Sequence, residues 1–323
     1  MNNFAMEKRP LGKTGFKITP VGLGVMQFSG GSGMFGMVFP DLSQPEMTAI
    51  VKAALDGGIN WFDTAEMYGR GRSETGLANA LKQLEKADDD VIIGTKWFPI
   101  LRTAGNISKS IDARLNYLDG YTIDLFMVHN PWSFSAPEKE MEAMAELVEA
   151  GKIRSVGVSN FNVDQMVRAH KTLQKRGLVL ACNQVQYSLL HRKIESDGVL
   201  EAAKDLGITI VAWSPLARGI LSGRYYTNPG IYDQLPIGRK MMMRDKINDS
   251  QEVVAYLVEV AEKHGVTPAQ VALNWLINFQ GETVVVIPGA SKEKQAAESA
   301  GAMQFRLEDE EIVKLDMLSR DFR

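Results

Sequence analysis

Four residues of types that can jointly transfer a proton each follow an apolar run: Asp63, Tyr68, Lys96 and His129. Free tyrosine has a pKa near 10, which is too high for easy proton exchange near pH 7. A lysine ammonium about 4 Å away would favour the phenolate by roughly 4 kcal/mol in a partly screened site. An aspartate would keep that lysine charged, and a neutral histidine could donate a hydrogen bond to a carbonyl oxygen. Taken singly, each residue also has a structural interpretation, as a helix cap, a packed ring or a solvated end.

The segments that must position these residues alternate between short apolar runs and amphipathic stretches. The eight apolar runs are ITPVGLG, INWF, VIIGT, IDLFMV, IRSVGV, VLACNQV, ITIVAW and TVVVI. They lack strict polar–apolar alternation, which is typical of parallel strands buried on both faces. Helical spacing appears between them, as in PEMTAIVKAALDGG, and Ser43 and Glu46 have the spacing of a helix capping box. The first segment, KRPLGKTGFKI, predicts a small hairpin that turns between Gly12 and Gly15.

Eight strands, each followed by a helix, match the count of a (β/α)8 barrel, with a doubly wound open sheet as the alternative. Polar residues recur at the carboxyl ends of the runs: Asp63, Lys96, His129, Ser159, Asn160, Gln184 and Ser214. A barrel brings these ends to one rim, whereas an open sheet spreads them along an edge. We therefore predict an α/β fold, a (β/α)8 TIM barrel with an N-terminal β-hairpin and two extra helices, as a single domain over residues 1–323.

The segment GSGMFG, residues 31–36, matches the dinucleotide-binding pattern G-x-G-x-x-G. That pattern binds a pyrophosphate only where a helix opens on its last glycine. Here Pro40 follows, and the helical pattern begins only at Ser43. We therefore predict a glycine-rich loop at this position, and any nucleotide phosphates must bind elsewhere.

Composition excludes several functional classes. A net charge of −3 without a basic run argues against a nucleic-acid partner, and no apolar stretch is long enough to span a membrane. The first ten residues lack the apolar core of a signal peptide, so we expect a cytoplasmic protein. Cys182 is the only cysteine and lies in an apolar run, which indicates a core residue. The four histidines lack metal-ligand spacing, so no protein-held metal is predicted.

Two stretches exceed the usual loop length: residues 25–42 and 218–249. Long loops in compact domains are usually functional, and we expect lids over the rim. The second contains RKMMMRD, residues 239–245, which indicates a packed lid or an adaptable substrate wall. Substrate identity is expected to depend on these loops.

Seven motifs, in order, resemble the aldo-keto reductase family: DTAEMYG, GTKW, MVHNPW, VGVSNF, NQVQYSLL, WSPLARGILSG and VVIPGASKEKQAAES. The resemblance extends from about residue 8 to the end of the chain. WSPLARGILSG and IPGASKEKQ are more similar to the bacterial and potassium-channel β-subunit branches than to mammalian aldose reductases. The resemblance implies NADPH-dependent reduction of aldehydes or ketones to alcohols on a (β/α)8 barrel without a Rossmann motif.

The resemblance also implies a role for each matching residue. Tyr68 would donate the proton, Lys96 and Asp63 would tune it, and His129 would orient the carbonyl group. Tyr187 would stack on the nicotinamide ring. The residues that would hold the nicotinamide carboxamide are Ser159, Asn160 and Gln184. The other cofactor-binding positions are Gly24, Val25 and Met26 after the first strand; Trp213, Ser214, Pro215, Leu216, Ala217, Arg218, Gly219 and Arg224 over the pyrophosphate; and Gly289, Ser291, Lys292, Gln295, Glu298 and Ser299 around the adenosine.

Two positions depart from the family pattern. Many relatives carry arginine where this chain has Gln295, and asparagine where it has Ser299. An arginine there would bind the 2′-phosphate that separates NADP from NAD. Lys292 or Arg224 could substitute, so we predict NADPH as the cofactor, with NADH as the alternative.

The main prediction is thus a carbonyl reductase acting on a small-molecule substrate, with its oligomeric state left open. A cofactor-binding redox sensor resembling a potassium-channel β-subunit is the second hypothesis. The intact set of Asp63, Tyr68, Lys96 and His129 favours turnover, because a pure sensor has no need for all four. A lyase or isomerase on a generic barrel would need a metal or phosphate site, and the sequence offers no pattern for one.

Overall fold

The computed structural model describes residues 7–31, 39–233, 240 and 245–323. Two short strands, β1 (Arg9–Pro10) and β2 (Lys17–Ile18), pair antiparallel as the predicted hairpin. The other eight strands form one parallel sheet in which each strand pairs with the next along the chain. They are β3 (Leu23–Gly24), β4 (Trp61–Asp63), β5 (Ile92–Trp97), β6 (Leu125–Val128), β7 (Ser155–Ser159), β8 (Leu180–Gln186), β9 (Thr209–Trp213) and β10 (Val284–Val286).

Hydrogen bonds between the first and last strands of this sheet close it. The backbone N–H of Gly22 donates to the carbonyl of Val286 at 2.8 Å, and that of Gly24 donates to Pro288 at 3.1 Å. Parallel bridges join Val21 to Val286 and Gly24 to Gly289. The predicted (β/α)8 barrel is therefore confirmed, and the doubly wound sheet is excluded.

Helices connect the strands around the outside of the barrel. Those after β3 to β8 are α1 (Gln44–Asp56), α2 (Arg72–Gln83), α3 (Ile107–Leu118), α4 (Pro137–Glu149), α5 (Val163–Gln174) and α6 (Val199–Leu206). Those after β9 and β10 are α7 (Arg224–Thr227), α8 (Pro229–Asp233), α9 (Gln251–His264), α10 (Pro268–Phe279), α11 (Glu293–Gly301) and α12 (Asp309–Leu318). Since α10 and α11 occupy the regular positions, α9 and α12 are the two long extra helices, and α7 and α8 are short additional ones. Among the described residues, every helix is too short or too polar to cross a lipid bilayer.

Both α1 and α10 begin at capping boxes, of which the first is the predicted pair Ser43 and Glu46. The backbone N–H of Ser43 donates to the Glu46 carboxylate at 2.7 Å at the start of α1. Before α10, Thr267 and Gln270 bond reciprocally, each side chain accepting from the other's backbone N–H, at 3.2 and 2.9 Å. These contacts satisfy amide groups that the first turn leaves without an intrahelical partner.

The hairpin covers the amino-terminal end of the barrel. Leu11 and Ile18 are buried in a cluster with residues that point into the barrel, such as Leu125 and Val285. Gly12 has φ of +55°, and a Cβ there would clash with the Ala181 carbonyl of β8, so glycine is required at this turn. Since the hairpin closes this end of the barrel, a ligand-binding site is expected at the opposite end, where the carboxyl ends of the strands lie.

The two predicted long loops are described only in part. Residue 31 is the one member of GSGMFG among the described residues, and Lys240 and Asp245 are those of RKMMMRD, so the predictions for both segments lie outside what the structure describes. The stretch 218–249 is less irregular than predicted, because it contains α7 and α8.

Candidate active site

The four predicted proton-transfer residues come together at the carboxyl end of the barrel. Asp63 ends β4, Lys96 lies near the end of β5, His129 follows β6, and Tyr68 lies in the turn before α2. The Lys96 Nζ is 2.6 Å from the Asp63 carboxylate. It lies 5.1 Å from the centre of the Tyr68 ring, which meets the His129 ring edge-on at a centroid distance of 5.7 Å. The barrel thus gathers residues up to 66 positions apart into one cluster.

The charged pair in this cluster, Lys96 and Asp63, is buried away from solvent. Lys96 is 0% and Asp63 2% exposed. Lys96 also donates to the Thr64 carbonyl at 2.8 Å, and Gln184 Nε2 donates to the other Asp63 oxygen at 2.8 Å. Burial acts to lower the pKa of Lys96, but the Asp63 carboxylate opposes it, and the pKa is raised overall. The lysine therefore carries its charge beside Tyr68 at neutral pH.

The pKa of Tyr68 differs from the sequence expectation. Burial raises the Tyr68 pKa above its usual value of 10.0, and the opposing effect of the Lys96 charge is smaller. The expectation assumed a partly screened site in which the lysine dominates, whereas Tyr68 is only 8% exposed. A buried phenol is held in its neutral form, because the phenolate would lose its hydration. Tyr68 is therefore protonated at rest, as a proton donor must be.

His129 is neutral in this site. Burial, followed by the nearby Lys96 charge, lowers its pKa well below 6.5. Its Nδ1 atom is buried and has no hydrogen-bond partner among the described residues. The rings of Tyr68 and Phe98 flank it edge-on. A neutral imidazole can donate one hydrogen bond, so His129 can hold a substrate oxygen beside the Tyr68 hydroxyl.

The predicted carboxamide-binding residues lie on neighbouring strands of the same rim. Ser159 Oγ donates to the backbone carbonyl of Gln184 at 2.8 Å. Asn160 has φ of +60° and donates to Asn130 Oδ1 at 2.8 Å. The indole N–H of Trp213 donates to Asn160 Oδ1 at 3.1 Å. Hydrogen bonds thus fix these side chains relative to one another across β6 to β9.

Tyr187 does not fit its predicted role. Its ring is 0% exposed, packs near Trp275 at a centroid distance of 6.4 Å, and its hydroxyl donates to Glu195 at 2.7 Å. No face of this ring is open to a nicotinamide, so the structure contradicts the prediction that Tyr187 stacks on the cofactor. The neighbouring Trp213 is partly exposed on the rim.

The loop after β9 has an unusual backbone. Ser214, Ala217 and Arg218 are not glycine, yet their φ angles are +53°, +47° and +58°, and Gly219 continues the pattern at +89°. Such conformations cost energy and cluster at functional sites. Consecutive turns of this kind can direct backbone N–H groups at an anion. Pro215 is buried, whereas Ser214 and Leu216 are partly exposed.

Arg224 lies next to this loop. Its guanidinium stacks over the Tyr225 ring at 4.7 Å and donates to the Tyr225 hydroxyl at 2.6 Å. Its Nε atom is buried and without a hydrogen-bond partner among the described residues. A cation with an unused buried donor, beside a strained loop, suits a diphosphate.

The predicted adenosine residues surround the start of α11. The Gln295 side chain accepts from the backbone N–H of Ser291 at 2.9 Å, which holds it against the segment before its own helix. Lys292 is exposed at the N-cap, where the helix dipole also favours an anion. Glu298 is partly exposed, Ser299 is buried, and Gly289 faces β3 across the closing seam.

The predicted residues after the first strand complete the rim. The backbone N–H of Val25 donates to the Asp63 carbonyl at 2.9 Å, and its side chain is buried. Gly24 pairs with Asp63 in the sheet, and Met26 is partly exposed. This segment therefore lies directly beside the proton-transfer cluster.

The family model described as Aldo/keto reductase family matches residues 20–320. The chain belongs to the aldo/keto reductase family. Aldo/keto reductases reduce small-molecule carbonyl compounds with NAD(P)H, and this chain is an oxidoreductase.

Three relatives illustrate the similarity of this aldo/keto reductase to known members. It is 30% identical over 317 residues to the chloroplastic pyridoxal reductase of Arabidopsis thaliana, covering 94% of this chain and 84% of that protein. It is 30% identical over 321 residues to aldo-keto reductase yakc of Schizosaccharomyces pombe, whose name specifies NADP(+), covering 95% and 90%. A thermostable aldo-keto reductase crystallised with the inhibitor epalrestat superposes with a TM-score of 0.77 at 32% identity, over 97% of this chain and 100% of that one.

The rim of this aldo/keto reductase fits a dinucleotide. The unused donor of Arg224, the strained loop after β9 and the open N-terminus of α11 offer positive potential, and Trp213 offers an aromatic surface. Asn130, which was not predicted from the sequence, fixes Asn160 from the position directly after His129. Its place in MVHNPW was the available signal.

Proposed function

We propose that this chain is an NADPH-dependent carbonyl reductase that converts aldehydes or ketones to alcohols, with Tyr68 as the proton donor. One observation carries the proposal: the fully buried Lys96, ion-paired to Asp63 at 2.6 Å, lies 5.1 Å from the centre of the protonated Tyr68 ring. A phenol next to a held ammonium can release its proton when charge develops on a neighbouring oxygen.

The nicotinamide, when bound, supplies the hydride for the carbonyl carbon. Tyr68 donates its phenolic proton to the carbonyl oxygen, which completes the alcohol. Lys96 stabilises the phenolate that remains, and Asp63 keeps Lys96 charged and in place. The neutral His129 donates a hydrogen bond to the same oxygen, which holds the carbonyl group against Tyr68. Burial of the cluster excludes water, which strengthens the electrostatic interactions between these charged groups.

We assign the cofactor contacts along the rim by the same reasoning. Ser159, Asn160 and Gln184 bind the carboxamide, and Trp213 replaces Tyr187 as the aromatic under the nicotinamide. Gly24, Val25 and Met26 contact the cofactor beside the proton-transfer cluster. The pyrophosphate contacts are Ser214, Pro215, Leu216, Ala217, Arg218, Gly219 and Arg224. The adenosine contacts are Gly289, Ser291, Lys292, Gln295, Glu298 and Ser299. The cation Lys292 in the adenosine set, together with the NADP(+) in a relative's name, supports NADPH over NADH.

Two measurements test this function. Quenching of protein fluorescence gives the Kd for NADPH, and the loss of NADPH absorbance in the presence of 4-nitrobenzaldehyde gives turnover. We expect tight binding and Tyr68-dependent turnover. Binding of NADPH without turnover of any aldehyde in a panel would refute the proposed reductase function. It would favour the second hypothesis, a redox sensor resembling a potassium-channel β-subunit.

The branch suggested by WSPLARGILSG and IPGASKEKQ does not follow from the Arabidopsis thaliana and Schizosaccharomyces pombe relatives, which come from a plant and a yeast. The proposed reductase does not depend on that branch, because its argument uses only the four clustered side chains.

A further inference from the structure

Three large apolar side chains are exposed beside the proposed site. Leu101 is 78%, Trp132 59% and Phe134 73% exposed. They come from the segments after β5 and β6, which flank His129; the Phe98 ring of the first segment lies 6.5 Å from the His129 ring. A backbone hydrogen bond joins Phe134 to Arg102, the residue after Leu101, so these side chains come from adjoining segments. Exposed apolar groups on adjoining segments mark interaction sites. Because they border the carbonyl-binding histidine, the apolar part of the substrate is their natural occupant.

Hydrogen bonds tie these two segments to each other and to the catalytic turn. The backbone N–H of Phe134 donates to the Arg102 carbonyl at 2.9 Å, and that of Ala104 donates to Ser135 Oγ at 2.9 Å. Arg102 in turn donates to both oxygens of Glu66 at 2.8 and 2.9 Å. Glu66 lies between Asp63 and Tyr68 in the chain. These hydrogen bonds therefore hold the segments that carry the apolar side chains in a fixed position relative to the catalytic residues.

Glu140 holds the segment after β6 in place through a hydrogen bond from Ser133. It lies in α4 and is 2% exposed. Ser133 Oγ donates to its carboxylate at 2.6 Å, and the same hydroxyl accepts from the backbone N–H of Ser135 at 3.0 Å. A buried carboxyl costs free energy that an apolar residue of similar size would avoid. Ser133, its partner, stands between Trp132 and Phe134 in the chain.

We propose that Glu140 is a positioning residue for substrate binding: by holding Ser133, it presents Trp132 and Phe134 to the apolar part of the carbonyl substrate. This inference rests on the proposed reductase and narrows its substrate class. The enzyme should favour aldehydes that carry a large aromatic or apolar group over small aliphatic aldehydes.

Steady-state kinetics with 2-naphthaldehyde and with propanal test the role of Glu140. The variants are Glu140→Ala, Glu140→Gln and Ser133→Ala, with Glu142→Ala as the control, since Glu142 is a surface carboxylate of the same helix paired to Lys139. In Glu140→Ala and Ser133→Ala, the KM for 2-naphthaldehyde should rise about tenfold, equivalent to about 1.4 kcal/mol. The kcat, and the KM for propanal, should stay near wild type. Glu140→Gln should restore the KM, because its amide oxygen can accept the Ser133 hydrogen bond.

An unchanged KM for 2-naphthaldehyde in both Glu140→Ala and Ser133→Ala would overturn the inference, as would equal losses with both aldehydes. If Glu140→Ala fails to fold, Ser133→Ala decides, because it removes only one hydroxyl. If the wild type shows no turnover, the proposed reductase fails, and limited chymotrypsin digestion tests the anchor alone. Cleavage after Trp132 or Phe134 should then be faster in Glu140→Ala than in wild type and Glu142→Ala, and equal rates would refute the anchoring role.

Discussion

Replacing Lys96 by methionine should destabilise the fold and abolish reduction. The substitution keeps much of the side-chain volume but removes the only cation within 4 Å of the Asp63 carboxylate among the described residues. Asp63 is 2% exposed and would keep only the Gln184 hydrogen bond, at 2.8 Å, as a side-chain partner. Breaking a buried ion pair by removing one partner costs about 3–5 kcal/mol, because it leaves an uncompensated charge. The lost stabilisation of the phenolate should also lower kcat by about 100- to 10,000-fold.

A second substitution separates the stranded charge from the lost lysine. Asp63→Asn combined with Lys96→Met removes the carboxylate, so the double variant should be more stable than Lys96→Met alone while staying inactive. Urea unfolding curves give both free energies of unfolding. The matched control is Lys52→Met, since the exposed pair of Lys52 and Asp56 in α1 is also separated by 2.6 Å. This exposed pair should contribute little, because water screens it.

Two results would refute this reasoning. One is a loss of stability in Lys96→Met no larger than in Lys52→Met. The other is a double variant no more stable than Lys96→Met alone. Either would mean that the buried pair is not the charge-coupled unit that the structure shows.

Four further substitutions test other parts of the structure. Burial raises the pKa of Glu140 from 4.5 to about 7, so its contribution to stability is present below pH 4.5 and lost as pH rises through 7. Glu140→Gln should therefore remove roughly 3 kcal/mol of pH dependence from the free energy of unfolding between about pH 4 and 8, and an unchanged slope would contradict this. Lys292→Ala should raise the Kd for NADPH more than that for NADH in fluorescence titrations, and equal effects would remove Lys292 from the 2′-phosphate. Arg224→Ala should raise both Kd values, because both cofactors carry the pyrophosphate to which Arg224 is assigned. Gly12→Ala should lower the free energy of unfolding by about 1–3 kcal/mol, because φ is +55° and the Ala181 carbonyl blocks the methyl group; a neutral effect would argue against the close packing of the hairpin on β8.

Local signals in the sequence predicted most of the fold. Each of the eight apolar runs overlaps a strand, because a strand buried on both faces is predominantly apolar. The Ser43 and Thr267 caps were predictable since their partners are three residues away. The convergence of Asp63, Lys96 and His129 followed from the rule that parallel strands place their carboxyl ends on one rim.

Features that depend on tertiary contacts were beyond the same reasoning. The hydrogen bond from Trp213 to Asn160 joins residues 53 positions apart, and no spacing rule predicts it. Tyr187 follows the rim strand β8, yet its ring turns into the protein toward Glu195. The predicted direction of the Tyr68 pKa shift was wrong. The shift depends on how deeply the ring is buried, and only the packing of the folded chain determines that. Glu140 in sequence is one of several acidic residues of an amphipathic helix, and its burial appears only in the structure.

The reduction rate of Tyr68→Phe tests the central claim most directly. Phenylalanine keeps the ring beside Lys96 and His129, at centroid distances of 5.1 and 5.7 Å, and removes only the hydroxyl. With NADPH and 4-nitrobenzaldehyde, we expect kcat to fall by about 100- to 10,000-fold, the loss typical of a missing general acid, while the Kd for NADPH stays near wild type. A folded Tyr68→Phe protein that reduces the aldehyde at the wild-type rate would contradict the assignment of Tyr68 as the proton donor.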